Sequence, residues 1–281
     1  GVLEVVLENT ADVVAPVITA CTASLSGINA LKGCSPDVMA SATGFAFSTT
    51  AVTLDNINDF PGTATDNCGV ASVSYQDVAS GTCPVTVTRT WTVRDASNNS
   101  ITCVQTIEIK DTTSPVVSTV AGSLDASIQC SDAAAITAAL ALAPAATDNC
   151  TATPVINLVS DVTTADVNCA NGYVRVRTWN FSDGCGNISE NFVQTITVTD
   201  NTAPVFTTIP QDLTVECDGS GNAAGLSAWL AGVAATDNCG SVTITDNYES
   251  LSDLCGATGS ATVTWTATDA CGNSVTTSAT F

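Results

Sequence analysis

Ala261–Asn273 reads ATVTWTATDACGN, and its alternation decides the fold. Ala261, Val263, Trp265 and Ala267 fall on one face of an extended chain, and Thr262, Thr264, Thr266 and Thr268 on the other. That period of two marks a half-buried β-strand with an apolar face and a threonine face. Asp269-Ala-Cys-Gly-Asn273 then closes the strand with a tight turn, since Gly and Asn tolerate the positive φ that such turns require.

The same stretch occurs twice upstream, as VTVTRTWTVRDASNN at Val85–Asn99 and VRVRTWNFSDGCGN at Val174–Asn187. Trp91 and Trp179 take the place of Trp265, so each copy sends one Trp into its core. Ahead of each lies Thr-Asp-Asn-Cys, at Thr65–Cys68, Thr147–Cys150 and Thr236–Cys239. After the first two come TIEIKDTTSPVV (Thr106–Val117) and TITVTDNTAPVF (Thr195–Phe206), where a strand runs into a Pro-containing linker. Blocks recurring in fixed order at the spacing of a small β-domain define tandem repeats. Ala-rich Asp132–Leu142 and Asn222–Ala235 read as short helices between strands. The fold class expected is all-β: tandem immunoglobulin-like β-sandwich repeats with short helical inserts, stapled by disulfides. Val2–Glu8 reads as the closing strand of a preceding repeat. The expected division is therefore residues 1–14 (that strand plus a linker), 15–113, 114–202 and a truncated 203–281.

Composition narrows the function. Acidic residues number 27 against 6 basic ones, for a net charge of −21, and there is no His. Such a surface repels nucleic acid and anionic lipid and attracts cations. Without His, a Ser-His-Asp or Cys-His centre is excluded, and no enzyme is expected. Repeated turn acids read as structural rather than as glycosidase pairs. Thirteen Cys with no CxxC argue for disulfides over zinc, hence for an exported protein. The longest apolar run, Ala133–Ala146, is too short to span a bilayer and contains Pro144.

Pro16–Cys21 (PVITAC), the Ala-Thr-Asp-Asn-Cys-Gly block and TWTATDACGN resemble the hyalin repeat (HYR) family. The Cys-rich, Ala-rich version resembles tandem HYR-like repeats of giant surface adhesins in gliding Bacteroidetes. The resemblance implies an extracellular, cell-surface protein of a bacterium, used for attachment or gliding. Its partners would be neighbouring repeats and surface glycan or protein ligands. Asp111-Thr112-Thr113 resembles the O-glycosylation motif of Bacteroidetes and marks Thr112 as a sugar site.

The second and third repeats each hold four cysteines, Cys130, Cys150, Cys169, Cys185 and Cys217, Cys239, Cys255, Cys271, and four allow three pairings. The resemblance to an immunoglobulin-like sandwich puts the Asp-Asn-Cys loop and the Asp-x-Cys-Gly-Asn turn at one end, implying Cys150–Cys185 and Cys239–Cys271. Cys130–Cys169 and Cys217–Cys255 follow. The first repeat has no cysteine in its Asp95–Asn99 turn. Cys21–Cys103, as in hyalin repeats, and Cys34–Cys83 are then implied, leaving Cys68 a free thiol.

Each linker Asp is expected near the Asp-Asn-Cys and Asp-x-x-x-Asn loops of the next repeat. One set is Asp111 with Asp148, Asn149, Asp183 and Asn187. Another is Asp200 with Asp237, Asn238, Asp269 and Asn273. The first junction would set Glu8 against Asp66, Asn67 and Asp95. Calcium takes six to eight such oxygens, and Val198–Phe206 resembles the calcium-binding linkers of cadherins. The alternative is that these residues cap tight turns. Arg89, Arg175 and Arg177 are expected to pair with acids at the sheet rim, and Trp229 to plug its helix onto the core. Three roles remain open: a structural stalk, a ligand-binding module, and an accessory repeat of a secreted hydrolase.

Overall fold

The computed structural model describes residues 11–219, 222–252 and 259–281. The chain divides into two compact units. The first comprises residues 1–117, 146–156 and 181–190, and the second comprises 118–145, 157–180 and 191–281.

In the first unit, three long strands, Val70–Ser80, Val85–Asp95 and Ser100–Lys110, form an antiparallel meander. Leu31–Lys32 joins the far edge parallel to Ser100–Lys110, and Val52–Thr53 the other edge. A second layer pairs Val17–Ala20 with Thr63–Thr65. Inward residues of Val85–Asp95 alternate as expected: Val87, Trp91 and Val93 are buried. Phe60, Val73 and Tyr75 pack on Trp91, and Met39, Ile107 and Ile109 pack on Val87. Phe45 meets the Trp91 ring edge-on at 5.2 Å. The long Ser35–Phe60 insert thus turns Met39, Phe45 and Phe60 inward.

The second unit carries most of a sheet ordered Val155–Ala165, Tyr173–Ser182, Phe192–Thr199 and Ala126–Gln129, the last strand again parallel to its neighbour. It also holds the meander Val242–Asp246, Thr262–Asp269 and Ser274–Thr280, and the ladder Val205–Thr208 with Ala234–Thr236. Helices occupy Ala133–Ala141 and Ala223–Leu230, inside the stretches expected. Asp132 caps the first by accepting from the Ala135 N–H at 2.9 Å. Val263, Trp265 and Ala267 are buried, as is Trp179. Trp229 packs edge-on to Trp265 at 4.9 Å and donates its indole N–H to Gln211 O at 2.8 Å. It plugs the core.

These are immunoglobulin-like sandwich repeats, all-β with short helices, and disulfides staple them. The pairing differs from expectation. Cys21 bonds Cys103. However, Cys34 bonds Cys150 rather than Cys83, and Cys83 bonds Cys185 rather than leaving it to Cys150. Likewise Cys130 bonds Cys239 rather than Cys169, and Cys169 bonds Cys271 rather than leaving it to Cys239. The reason lies in the course of the strands. Cys34 follows the short parallel strand and Cys83 sits in the hairpin before Val85, so both lie where Ser100–Lys110 ends. Asp111 leaves from there directly into the next copy's loops, bringing Cys150 and Cys185 opposite. Their Cα atoms lie 5.0 Å from that of Cys34 and 5.2 Å from that of Cys83, respectively, within the reach of a bridge. The cysteines grouped at one end therefore bond across a junction and not to one another. Among the described residues Cys68 and Cys217 have no disulfide partner. Cys255, the expected partner of Cys217, lies outside the described residues.

Arg89 also departs from expectation. It is fully buried, with its guanidinium bidentate on Asp77 at 2.8 and 2.9 Å. It also stacks on Tyr75 at 4.2 Å. Arg175 does pair at the surface, with Asp161 at 2.7 Å, which holds that carboxyl below the usual range. Arg177 reaches the same acid at 3.6 Å.

Candidate metal centres

The turn that ends each Trp strand is built identically in all three copies. Asp183 Oδ1 accepts the N–H of Cys185 and of Asn187, each at 2.8 Å. Asp269 does the same for Cys271 and Asn273, and Asp95 for Ser97 and Asn99, at 2.8 and 2.9 Å. The φ of Gly186 is +85°, and Asn98 takes that left-handed place at +67°. The second oxygen of each acid accepts from the Asn side chain: Asn99 to Asp95 and Asn187 to Asp183 at 2.6 Å, Asn273 to Asp269 at 2.8 Å.

That same Asn amide grips the linker. Asn187 Nδ2 lies 3.2 Å from the main-chain oxygen of Asp111, and Asn273 Nδ2 lies 3.1 Å from that of Asp200. Asn99 Nδ2 lies 2.9 Å from Asp12 O. Asp12 thus fills the place assigned by sequence to Glu8, which lies outside the described residues. A usable signal was present: Asp12, Asp111 and Asp200 each stand four residues before a proline, Pro16, Pro115 and Pro204.

Three carboxylates meet at each of the first two centres. Oxygens of Asp12, Asp66 and Asp95 lie within 4.8 Å of one another, as do those of Asp111, Asp148 and Asp183. Asn149 joins the second group through Nδ2, 3.4 Å from Asp111 Oδ1. The third group is looser: Asp200 and Asp269 come together, but Asp237 does not join them at that distance. Asn238 turns instead to Ser131 Oγ at 2.9 Å. The sulfurs nearby, of Cys130, Cys239 and Cys271, are spent in disulfides and carry no thiolate for a metal.

Turn capping accounts for part of each acid only. Asp148 Oδ2 takes the N–H groups of Cys150 and Thr151, and Asp111 Oδ1 takes that of Thr113. Their other oxygens, Asp148 Oδ1 and Asp111 Oδ2, are buried without a hydrogen-bond partner. Asp12 Oδ2, Asp66 Oδ2 and Asp237 Oδ1 are left in the same state. Asp111 is only 4% exposed, so its orphan oxygen has no solvent to turn to.

Three acids of these clusters, Asp12, Asp183 and Asp269, are shifted toward the ionised form. Burial pulls the Asp183 carboxyl upward, but donation from the Asn187 side chain and from the amides of Asn187, Cys185 and Gly186 leaves it below the usual carboxylate value. Asp269 is lowered by the same balance, and Asp12 chiefly by the Val14 amide. Converging carboxyl oxygens, several of them without a hydrogen-bond partner, form a donor set suited to a hard divalent cation.

Residues 118–198 match the sequence profile of the HYR-like domain with 4 cysteines. That stretch is an HYR-like repeat. It holds the Asp148, Asp183 and Asn187 half of the second centre. No curated protein matches the chain. Among solved structures, similarity extends to mouse clustered PcdhgC3 EC1-3, with 13% identity over 70% of this chain and 76% of that one, TM-score 0.25. Mouse Cadherin-23 EC22-24 shows 12% identity over 95% and 98%, TM-score 0.29. The Protocadherin GammaB4 extracellular domain shows 11% identity over 95% of this chain, which spans about half (49%) of that one, TM-score 0.28.

The five disulfides among the described residues require an oxidising compartment, which makes this an extracellular repeat protein. Among the described residues no helix is long and apolar enough to cross a membrane.

Proposed function

We propose that this chain is a non-catalytic stalk segment of a long extracellular adhesin, holding an adhesive region away from a bacterial surface for attachment or gliding. Its repeats are residues 15–113, 114–202 and 203–281, with residues 1–14 closing a preceding one. The observation that carries this reading is the recurrence of one junction: a linker Asp gripped by the Asn of the next repeat's turn, beside disulfides that cross the same boundary. A ligand pocket needs to occur once, whereas a mechanical joint must occur at every boundary. Calcium is the cation that suits the joints, because it accepts several carboxylate oxygens in flexible geometry. Asp12, Asp66 and Asp95 would hold one ion, and Asp111, Asp148 and Asp183 another. Bound there, it would cancel repulsion between acids of adjacent repeats. Thr112 is exposed beside Asp111 and is available for an O-linked sugar.

Small-angle scattering with and without chelator tests both parts. An elongated particle that loosens on chelation is expected. A rod indifferent to chelator removes calcium and leaves the stalk. A compact or freely bent particle in both conditions overturns the stalk itself.

A further inference from the structure

The three junctions share their turn acids but not their staples. At the second, two disulfides start from the turns that supply the acidic cluster. Cys150 donates its N–H to Asp148 Oδ2 at 2.9 Å, and Cys185 donates to Asp183 Oδ1 at 2.8 Å. Each is bonded to a cysteine of the preceding repeat, Cys34 and Cys83 respectively. Asn149 Nδ2 bridges acids and sulfurs, lying 3.4 Å from Asp111 Oδ1, 3.5 Å from the Cys34 sulfur and 3.0 Å from that of Cys150. Asp111 and the four cysteines line one cavity of about 240 Å³. Asp111 is 4% exposed, and its Oδ2 is buried without a hydrogen-bond partner. A buried carboxyl oxygen without a donor marks a ligand position rather than a turn cap.

The other two junctions separate these features. At the first, Asp12, Asp66 and Asp95 converge as closely, but Cys68 is unpaired and Ser97 stands where the second junction has Cys185. Neither turn that supplies that cluster carries a disulfide. At the third, Cys130–Cys239 and Cys169–Cys271 are closed, but Asp237 stays out of the group. Only the second junction, among the described residues, combines three converging carboxyls with two staples. Acids drawn from two repeats bind a cation tightly when they are held together beforehand. Otherwise the cation must also offset the ordering of the loops and the repulsion between like charges.

We propose that the second centre is a redox-gated cation site: Asp111, Asp148 and Asp183 hold a divalent cation tightly only while Cys34–Cys150 and Cys83–Cys185 are closed. The first centre, without staples on its turns, binds irrespective of redox state. The inference rests on the reading of these centres as calcium sites. With both bridges open, the loops that carry Asp148 and Asp183 are tied to Asp111 only by the linker and by the Asn149 and Asn187 amides. The acids can then move apart. Opening is thiol–disulfide exchange: each bridge takes two electrons from a dithiol and becomes two thiols, while the dithiol closes to its own disulfide. Linkage is reciprocal, so a bound cation disfavours opening of the bridges by the same factor.

The test isolates each centre. Asp66→Asn leaves the three acids of the second centre intact, and Asp148→Asn leaves those of the first. Each is titrated calorimetrically with calcium chloride, with and without the set Cys34→Ser, Cys83→Ser, Cys150→Ser and Cys185→Ser, and near-ultraviolet circular dichroism checks the fold. Removing the bridges should raise the dissociation constant about tenfold or more in the Asp66→Asn protein, within the usual range of coupling between two sites. It should leave that of the Asp148→Asn protein unchanged. Equal constants with and without bridges in the Asp66→Asn protein, or an equal rise in both, overturn the gating while calcium binding stands. No binding by the Asp66→Asn protein with its bridges closed overturns the calcium reading of that centre, and the gating with it. If the bridge-free variants do not fold, the unaltered chain in a dithiothreitol redox buffer gives the answer by alkylation and peptide mapping. Calcium should disfavour reduction of Cys34–Cys150 and Cys83–Cys185 and leave Cys21–Cys103 unmoved. Calcium without effect on those two bridges overturns the gating.

Discussion

The Asn187 side-chain amide donates both to Asp183 Oδ2, at 2.6 Å, and to the main-chain oxygen of Asp111, at 3.2 Å. One group thereby holds a turn of one repeat and the linker that precedes it. Asn187→Ala removes both bonds and leaves a buried carboxylate oxygen without its donor. The expected loss is about 1–3 kcal/mol, read as a lower denaturation midpoint, and Asn273→Ala should behave alike. A neutral result at both positions would show that the linker is held by the disulfides alone.

Asp111→Asn separates the two accounts of the acid cluster. If calcium binds, wild type gains about 2.7 kcal/mol for each occupied centre when calcium is raised to a hundred times its dissociation constant. The variant loses most of the part due to the second centre. If the acids only cap turns, calcium does nothing to either protein. The variant is then the more stable, because one of three converging negative charges is gone. Thermal melts with calcium and with chelator give the answer.

Non-reducing peptide mapping should recover Cys34–Cys150, Cys83–Cys185, Cys130–Cys239 and Cys169–Cys271. Each bridge closes a loop of more than a hundred residues and stabilises by about 2–4 kcal/mol through the unfolded chain. Reduction should therefore lower the melting temperature sharply. Recovery of Cys150–Cys185 would reverse the assignment and confine every staple to its own repeat.

Arg89 and Asp77 form a wholly buried ion pair under the first repeat's aromatic cluster. Breaking it with Arg89→Met strands a buried carboxylate and should cost about 3–5 kcal/mol, whereas an apolar double replacement at Asp77 and Arg89 should cost much less. Chemical denaturation of the two variants measures the difference. Equal losses would mean that Arg89 contributes by packing on Tyr75 and Trp91 rather than by charge.

Local chemistry made much of this protein readable from its residues. Alternation in Ala261–Asp269 determined a strand and its buried face, because pleat geometry imposes a period of two whatever the surroundings. The Asp-x-Cys-Gly-Asn turn was equally legible, since its hydrogen bonds span only two to four residues. The recurrence of these blocks then specified tandem sandwiches with short helices. Sequence also gathered Asp111, Asp148 and Asp183 into one cluster, because a short Pro-containing linker leaves the next repeat's loops little room to be elsewhere.

Disulfide partners were not legible in this way. Cys150 and Cys185 do share an end, but proximity between loops of one repeat competes with proximity to loops of its neighbour, and only the fold decides between them. Arg89 carries the same lesson: its place beside Asp77 depends on the register of Val70–Ser80 against Val85–Asp95, which pairs the two residues directly. Cross-strand and cross-repeat distances are set by register and by the course of the linker, and neither is written in a local pattern. The sequence determined which residues form each end of a repeat, and the tertiary structure decided which ends are joined.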